Sequence, residues 1–351
     1  MRGRTLLCGL LFLLGGPGAF AEQVRVGVLG LFHPREITLS AAKGEAIVVT
    51  AGGKAVVLEP GPHGDIARIE VSDASLLLEF RGEFARTAEI HASGRSRHGA
   101  SFLLGIPGKI SRQYLGTLSL RVVSGEIVPT VTMDLETAVA SVVAAESTKD
   151  TPLESLKAQA IVTRSYFTAG KRRHHDFDFC DATHCQFLRE LPSADSLAAV
   201  ATLATRGLVL TYEGKPFAAM FTRSCGGQTR TPAEVGVSSG SYPYYSVVCD
   251  ACYTSPTRWA SRISEQDAAR LIGKGEAGRL AVDRRLGWNA VPSNNFTARE
   301  EEGAVNLEGA GQGHGIGLCQ RGARAMAESG AGFREIINHY FPNTGLSRLD
   351  Q

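Results

Sequence analysis

Residues 134–167 read DLETAVASVVAAESTKDTPLESLKAQAIVTRSYF, and the period of this stretch decides the fold. Leu135, Val139, Val142 and Val143 recur at helical spacing and Asp134 stands in capping position, which predicts a helix from Leu135 to about Ser147. Thr151-Pro152-Leu153-Glu154 follows at once. A threonine cap, a proline at the first helical position and a glutamate two residues on predict a capping box and a second helix from Pro152 to about Ala169.

Upstream the text changes period. From Val24 to about Thr132 it runs in short alternating or β-branched segments, VRVGVLGL, EAIVVTAGG, KAVVLE, ARIEVSD, SLLLEF and YLGTLSLRVV, separated by Gly, Pro or charged residues. This predicts strands with tight turns and no obvious chemistry; His33, His63, His91 and His98 lack metal-ligand spacing and read as surface histidines. Downstream, residues 190–210 read as helical, LVLTYEGKPFAAMFTRS as a strand hairpin around Glu213-Gly214, and the stretch to about Phe296 as loop-rich. Helices are predicted again from Leu318 to Ala327 and from Phe333 to Tyr340. The fold class is therefore α+β: a β-rich N-terminal region over 22–112, then a mixed helix and strand domain over 113–345.

Residues 1–21, MRGRTLLCGLLFLLGGPGAFA, show the order of a secretory signal peptide: arginines, an apolar run, a breaker, then Ala-Phe-Ala. Cleavage is expected after Ala21, which removes Cys8 and leaves no transmembrane anchor. The expected location is the periplasmic or extracellular space. The remaining cysteines, Cys180, Cys185, Cys225, Cys249, Cys252 and Cys319, are even in number and free to pair in an oxidising compartment. The whole chain of 351 residues has a net charge of +2, and without Arg2 and Arg4 its charges balance. A nucleic-acid partner, or any polyanion held by bulk charge, is excluded on that balance.

Glu146 continues the apolar stripe of the first helix, three, four and seven residues after Val143, Val142 and Val139. Desolvation there raises a carboxyl pKa toward the range of a general acid. His174, Cys180, His184 and Cys185 lie within a twelve-residue span and can supply the four donors of a closed, structural zinc site. A Cys180–Cys185 disulfide with exposed histidines is the competing reading. GAGQGHGIG, with glycine at 309, 311, 313, 315 and 317 around His314, lacks a Walker lysine and a Rossmann strand; it suits either close approach of an extended ligand or a tight packing turn. Ser224 lacks the elbow of a serine hydrolase, and Cys249-Asp250-Ala251-Cys252 lacks a thioredoxin-like setting, so a structural disulfide joining Cys225 to one of that pair is expected.

Taken in order, DLETAVASVVAAES, TPLESLKAQAIVTRSYF, FCDATHCQF, FTRSCGGQT and GHGIGLCQRGARAMAESGAGFREIINHYFPNT resemble the SpoIID family, also known as the LytB amidase-enhancer family, from about Tyr114 to Pro342. The resemblance implies a protein of the cell wall whose partners are peptidoglycan glycan strands, with a cell-wall amidase as a further partner. It also implies lytic transglycosylase activity between N-acetylmuramic acid and N-acetylglucosamine on strands stripped of stem peptides. Carried over, the catalytic glutamate is Glu146, and the family's zinc cluster falls on Cys180, His184 and Cys185, with His174 the fourth ligand by spacing. The chemistry needs one carboxyl and no cofactor. Gln159, Arg164, His314 and Gln320 are further candidates for lining a sugar cleft between the helix pair and the glycine loop. Ser147 stands where the family usually has methionine, and Ala138 near its usual aromatic. Two other functions compete: a glycan-binding amidase enhancer that cuts no sugar, and a hydrolase using zinc at the His174 to Cys185 cluster.

Overall fold

A computed structural model describes residues 22–349 except 43, 63, 96–98, 171, 190, 239 and 270–274. The leader with Cys8, and two of the histidines named above, His63 and His98, lie outside the described residues. His33 and His91 lie on the surface beside Glu126 and Glu89.

The chain is mixed α+β. Two sheets form the N-terminal region and share one long strand, Ile110–Val123. Its first half pairs with Ala100–Ile106, leading outward through Glu36–Ala41, Ile66–Ser72, Ser75–Phe80 and Glu83–Thr87. Its second half lies between Glu126–Asp134 and Glu89–Gly94, the latter extended by Ile47–Ala51 and Lys54–Leu58. Gly116 sits at the changeover with φ 151°, where a Cβ would run into the Thr132 carbonyl, so only glycine fits. Val26, Leu39, Leu104, Leu118 and Val131, fully or almost fully buried, close one core between the sheets, each contributing about 2 kcal/mol.

Strand Gln23–Gly27 completes the frame on the far side of Glu126–Asp134 and takes Phe179–Cys180 in parallel as its other neighbour. This sheet thus runs directly into the helices. Helix α1 (Leu135–Glu146) leaves the strand at Asp134, whose Oδ1 accepts from the N–H groups of Glu136 (2.9 Å) and Thr137 (3.3 Å), as the sequence predicts. Helix α2 (Leu153–Ala169) follows, but without the predicted capping box. Pro152 holds the cap position, Thr151 Oγ1 accepts from Thr148 N, and Glu154 accepts from the N–H of Phe333 at 2.9 Å while pairing with Lys157. The glutamate satisfies the free N-terminus of another helix instead of its own.

Helix α2 is buried on both sides. Leu156, Ala160 and Phe167 join the N-terminal core, while Ala158, Ile161 and Val162 enter a second core. Helix α3 (Leu197–Ala204) is shorter than the sequence predicts, because Ser196 caps it with a bond from Ala199 N and Gly207, at φ 71°, follows its end. The hairpin Leu208–Tyr212 and Lys215–Pro216 turns at Glu213 (φ 49°) and Gly214 (φ 77°), as expected, and Gly345–Arg348 adds a third strand.

The region read as loops is more ordered than predicted. After the short helix α4 (Asp250–Thr254), strands Arg258–Ser264, Ala304–Ala310 and Phe296–Glu301 form a sheet that holds helices α5 (Glu265–Ala269) and α6 (Gly275–Leu286) between its first and last strands in sequence. Leu318–Cys319 is a strand parallel to Phe221–Thr222, so helix α7 starts at Gln320 and runs to Glu328; α8 spans Phe333–Tyr340 as predicted. Among the described residues no helix is long and apolar enough to cross a membrane.

Candidate functional site

A cavity of about 250 Å³ opens where the α1–α2 turn faces the Phe221–Thr222 and Leu318–Cys319 strand pair. One wall carries Glu146, Ser147, Thr148 and Gln159; the other carries Arg223, Ser224, Gln312, Gln320, Arg321 and Arg324. The second wall is knitted by backbone: Ser224 and Gln312 exchange N–H···O bonds of 3.0 and 2.7 Å, and Arg321 N donates to Arg223 O. Across the gap Gln320 Nε2 donates to the Glu146 carbonyl at 3.2 Å, and Arg324 holds Asp150 at 2.7 Å.

Glu146 is the one carboxyl lining this cavity among the described residues. It closes the last turn of α1, half-buried, and its side chain makes no hydrogen bond or ion pair among the described residues. Burial pushes its carboxyl up to about 7, with the charges of Arg223 and then Arg189 pulling the other way. The negative end of the α1 dipole also disfavours the carboxylate. The result is an acid that holds its proton near neutral pH.

The other sequence candidates separate. Gln159 and Gln320 line the cavity with Glu146. Gln159 is buried, and its Nε2 has no hydrogen-bond partner among the described residues. Arg164 does not reach the cleft. It is wholly buried, bidentate to Glu136 at 2.6 and 2.9 Å, with a further bond to the Leu208 carbonyl. It ties α2 to α1 and to the hairpin strand, the work of a core strut. His314 is not a lining residue either: its Nδ1 accepts from Ile316 N at 3.1 Å, and burial followed by the charge of Arg284 holds its imidazole down to about 4, hence neutral. Of its loop, only Gln312 lines the cavity. Gly315 and Gly317 are packed instead against Arg230 and the Met220 carbonyl, at φ 77° and 75°, which decides for the packing turn at those two positions.

His174, Cys180, His184 and Cys185 converge, their donor atoms all within 4.8 Å of one another. His174 Nε2 lies 3.3 Å from Cys185 Sγ, and His184 Nδ1 lies 3.8 and 3.6 Å from the sulfurs of Cys180 and Cys185. Edges near 3.5 Å are what a tetrahedron with Zn–N of about 2.0 Å and Zn–S of about 2.3 Å demands. The residues therefore fit such an ion, and both cysteines are free. The sheet edge sets their position: strand Gln23–Gly27 holds Cys180, and Asp181 beside it accepts from Leu29 N and pairs with buried Arg112, both at 3.1 Å.

The disulfide expected for Cys225 does not form. Cys225, Cys249, Cys252 and Cys319 are all free and buried, and their sulfurs form a second group within 4.8 Å. Sequence reading missed this group because its members are far apart in the chain; the C-x-x-C spacing of Cys249 and Cys252 was its single local signal. It also missed Arg223, Arg321 and Arg324, which nothing in their local pattern marks.

Comparison with known proteins bears directly on this geometry. Residues 124–212, which hold α1, α2, Glu146 and the histidine–cysteine group, match the family model described as SpoIID, Stage II sporulation protein. Over residues 124–212 the chain is similar to the SpoIID family. Its relatives include an uncharacterised protein of Brachyspira hyodysenteriae, 27% identical over 65% of this chain and 71% of that protein. Another is the Stage II sporulation protein D of Bacillus amyloliquefaciens, 26% identical over 62% of this chain and 75% of the relative. The Amidase enhancer of Bacillus subtilis is 24% identical over 56% of this chain and 38% of its own length. The family match ends before the second wall of the cleft, so the SpoIID segment supplies Glu146 while the arginines lie beyond it.

Proposed function

We propose that this protein acts in the cell wall as a lytic transglycosylase on peptidoglycan, with Glu146 as its acid and base. The observation that carries this reading is a single carboxyl among the described residues lining the cavity, its pKa pushed up to about 7 by burial. Glycosidases that admit water place two carboxylates across the bond; an internal nucleophile removes the need for the second. Glu146 gives its proton to the oxygen linking C1 of N-acetylmuramic acid to C4 of N-acetylglucosamine, and the C1–O bond breaks. The carboxylate so formed takes the proton of the muramic acid 6-hydroxyl as that oxygen bonds to C1. A 1,6-anhydro ring closes, the acid is regenerated, and no water is consumed.

Recognition falls to the facing wall. Arg223 is exposed in the cavity and its side chain makes no hydrogen bond or ion pair among the described residues, which suits the lactyl carboxylate that muramic acid bears once its stem peptide is gone. Export and the cleaved leader belong to the same proposal. Zinc held by His174, Cys180, His184 and Cys185 would have four protein ligands and no open position, so its contribution is a fixed cross-link.

The name of the Bacillus subtilis relative supports a second reading, a glycan-binding enhancer of an amidase that cuts no sugar. Digestion of peptide-free strands separates the two: the enzyme leaves 1,6-anhydro ends that Glu146→Gln abolishes, whereas an enhancer leaves the strands intact and its stimulation survives that substitution.

A further inference from the structure

We infer that Cys225, Cys249, Cys252 and Cys319 are the ligands of a second metal site, a single zinc ion bound by four thiolates behind the second wall of the cleft. It rests on the sulfur geometry and stands whether or not the glycan chemistry is correct.

The four sulfurs lie within 4.8 Å of one another, and Cys252 and Cys319 are 3.6 Å apart. A tetrahedral zinc with Zn–S of about 2.3 Å sets sulfur–sulfur edges of about 3.8 Å. A disulfide needs about 2.05 Å. The cysteines also come in a pattern that zinc uses: Cys249 and Cys252 form a C-x-x-C pair, and Cys225 and Cys319 arrive from neighbouring strand ends.

The surroundings supply hydrogen-bond donors to sulfur. Cys225 N donates to Cys319 Sγ at 3.4 Å, and Tyr340 Oη donates to Cys249 Sγ at 3.4 Å. The Ser224 hydroxyl lies 3.5 Å from Cys252 Sγ. Donors of this kind are the outer partners that thiolate ligands take. Four buried thiolates gathered this closely repel one another, and a dication is what offsets that charge. The packing is equally committed: at Gly322 a Cβ would collide with both the Tyr340 hydroxyl and Cys249 Sγ.

The site has a consequence for the cleft. Cys225 follows Arg223 and Ser224, and Cys319 precedes Gln320 and Arg321, all four of them lining residues. The ion would therefore clamp the two strand ends that carry the recognition wall.

The test uses the mature chain purified without chelator from the compartment to which it is exported. Elemental analysis should find two zinc ions per chain in the wild type and one in the Cys180→Ser/Cys185→Ser double variant, which keeps the four-cysteine group. Replacing that remaining zinc with Co²⁺ should give the intense thiolate-to-cobalt charge transfer of an all-sulfur site. A wild-type measurement guards against misfolding of the variant: in denaturant with chelator and no reductant, Cys225, Cys249, Cys252 and Cys319 should all alkylate. Failure of the four to alkylate until a reductant is added would mean disulfides and overturn the inference. So would a folded double variant free of metal, or one that carries iron.

Discussion

The two walls of the cleft are built on different principles. The α1–α2 wall comes from 34 consecutive residues, carries the single acid, and lies within the SpoIID match. The facing wall gathers residues 223–224, 257, 312, 320–321 and 324, carries three arginines, and lies outside that match. The first wall is made by local periodicity, and in the proposed mechanism it does the proton transfer. The second is made by long-range pairing and does the binding. A substitution on one wall should therefore damage turnover, and one on the other should damage affinity.

The largest expected effect is on the first wall. Glu146→Gln should lower kcat by about 10³-fold or more, in the range expected when a general acid is lost, while glycan affinity persists. Steady-state kinetics on peptide-free strands checks it, and a variant with unchanged kcat would break the division between the walls.

Next is the strut behind that wall. Arg164→Ala leaves Glu136 half-buried without its bidentate partner and should cost about 3 kcal/mol of folding free energy, read from the urea midpoint. Had Arg164 been a cleft residue, the same substitution would have raised KM and left stability alone.

The pH dependence follows from the same carboxyl. The proton-bearing form of Glu146 falls away above its raised value of about 7, so kcat/KM should drop about tenfold per pH unit beyond it. The sign for stability is the same. A folded-state pKa raised above the ordinary 4.5 gives a contribution that is present below 4.5 and lost as pH rises through 7. Glu146→Gln should therefore be more stable than wild type at pH 8 by about 3 kcal/mol and no different at pH 4. Thermal melts at the two pH values read this out.

The smallest effect belongs to the second wall. Arg223→Ala should raise KM about tenfold for strands with a free lactyl carboxylate, in keeping with the loss of one charge-assisted hydrogen bond, with kcat unchanged. Strands that retain stem peptides should be indifferent to it.

How much of this was legible in the sequence follows the same divide. The α1–α2 pair and Glu146 were readable because their apolar period is local, and the histidine–cysteine group because its four donors lie between 174 and 185. The capping box misled, since Glu154 has the right spacing but a better partner in the N–H of Phe333. Arg164 and Gln159 read alike on a helix with polar residues on every side, and only the two cores that enclose α2 separate strut from cleft residue. The sheet of Arg258–Ser264, Phe296–Glu301 and Ala304–Ala310 went unread because RWASRIS puts a serine, Ser261, between its inward Trp259 and Ile263, and FTAREE puts a charge, Glu300, on the face of Phe296. The four-cysteine group depends on pairings across 94 positions, from Cys225 to Cys319, that no local pattern encodes.

The most direct test of the central claim is mass spectrometry of peptide-free glycan strands digested by the mature protein. The mechanism predicts muramic acid ends closed as 1,6-anhydro rings, absent with Glu146→Gln. Reducing ends, which require water at C1, would contradict it, and so would intact strands.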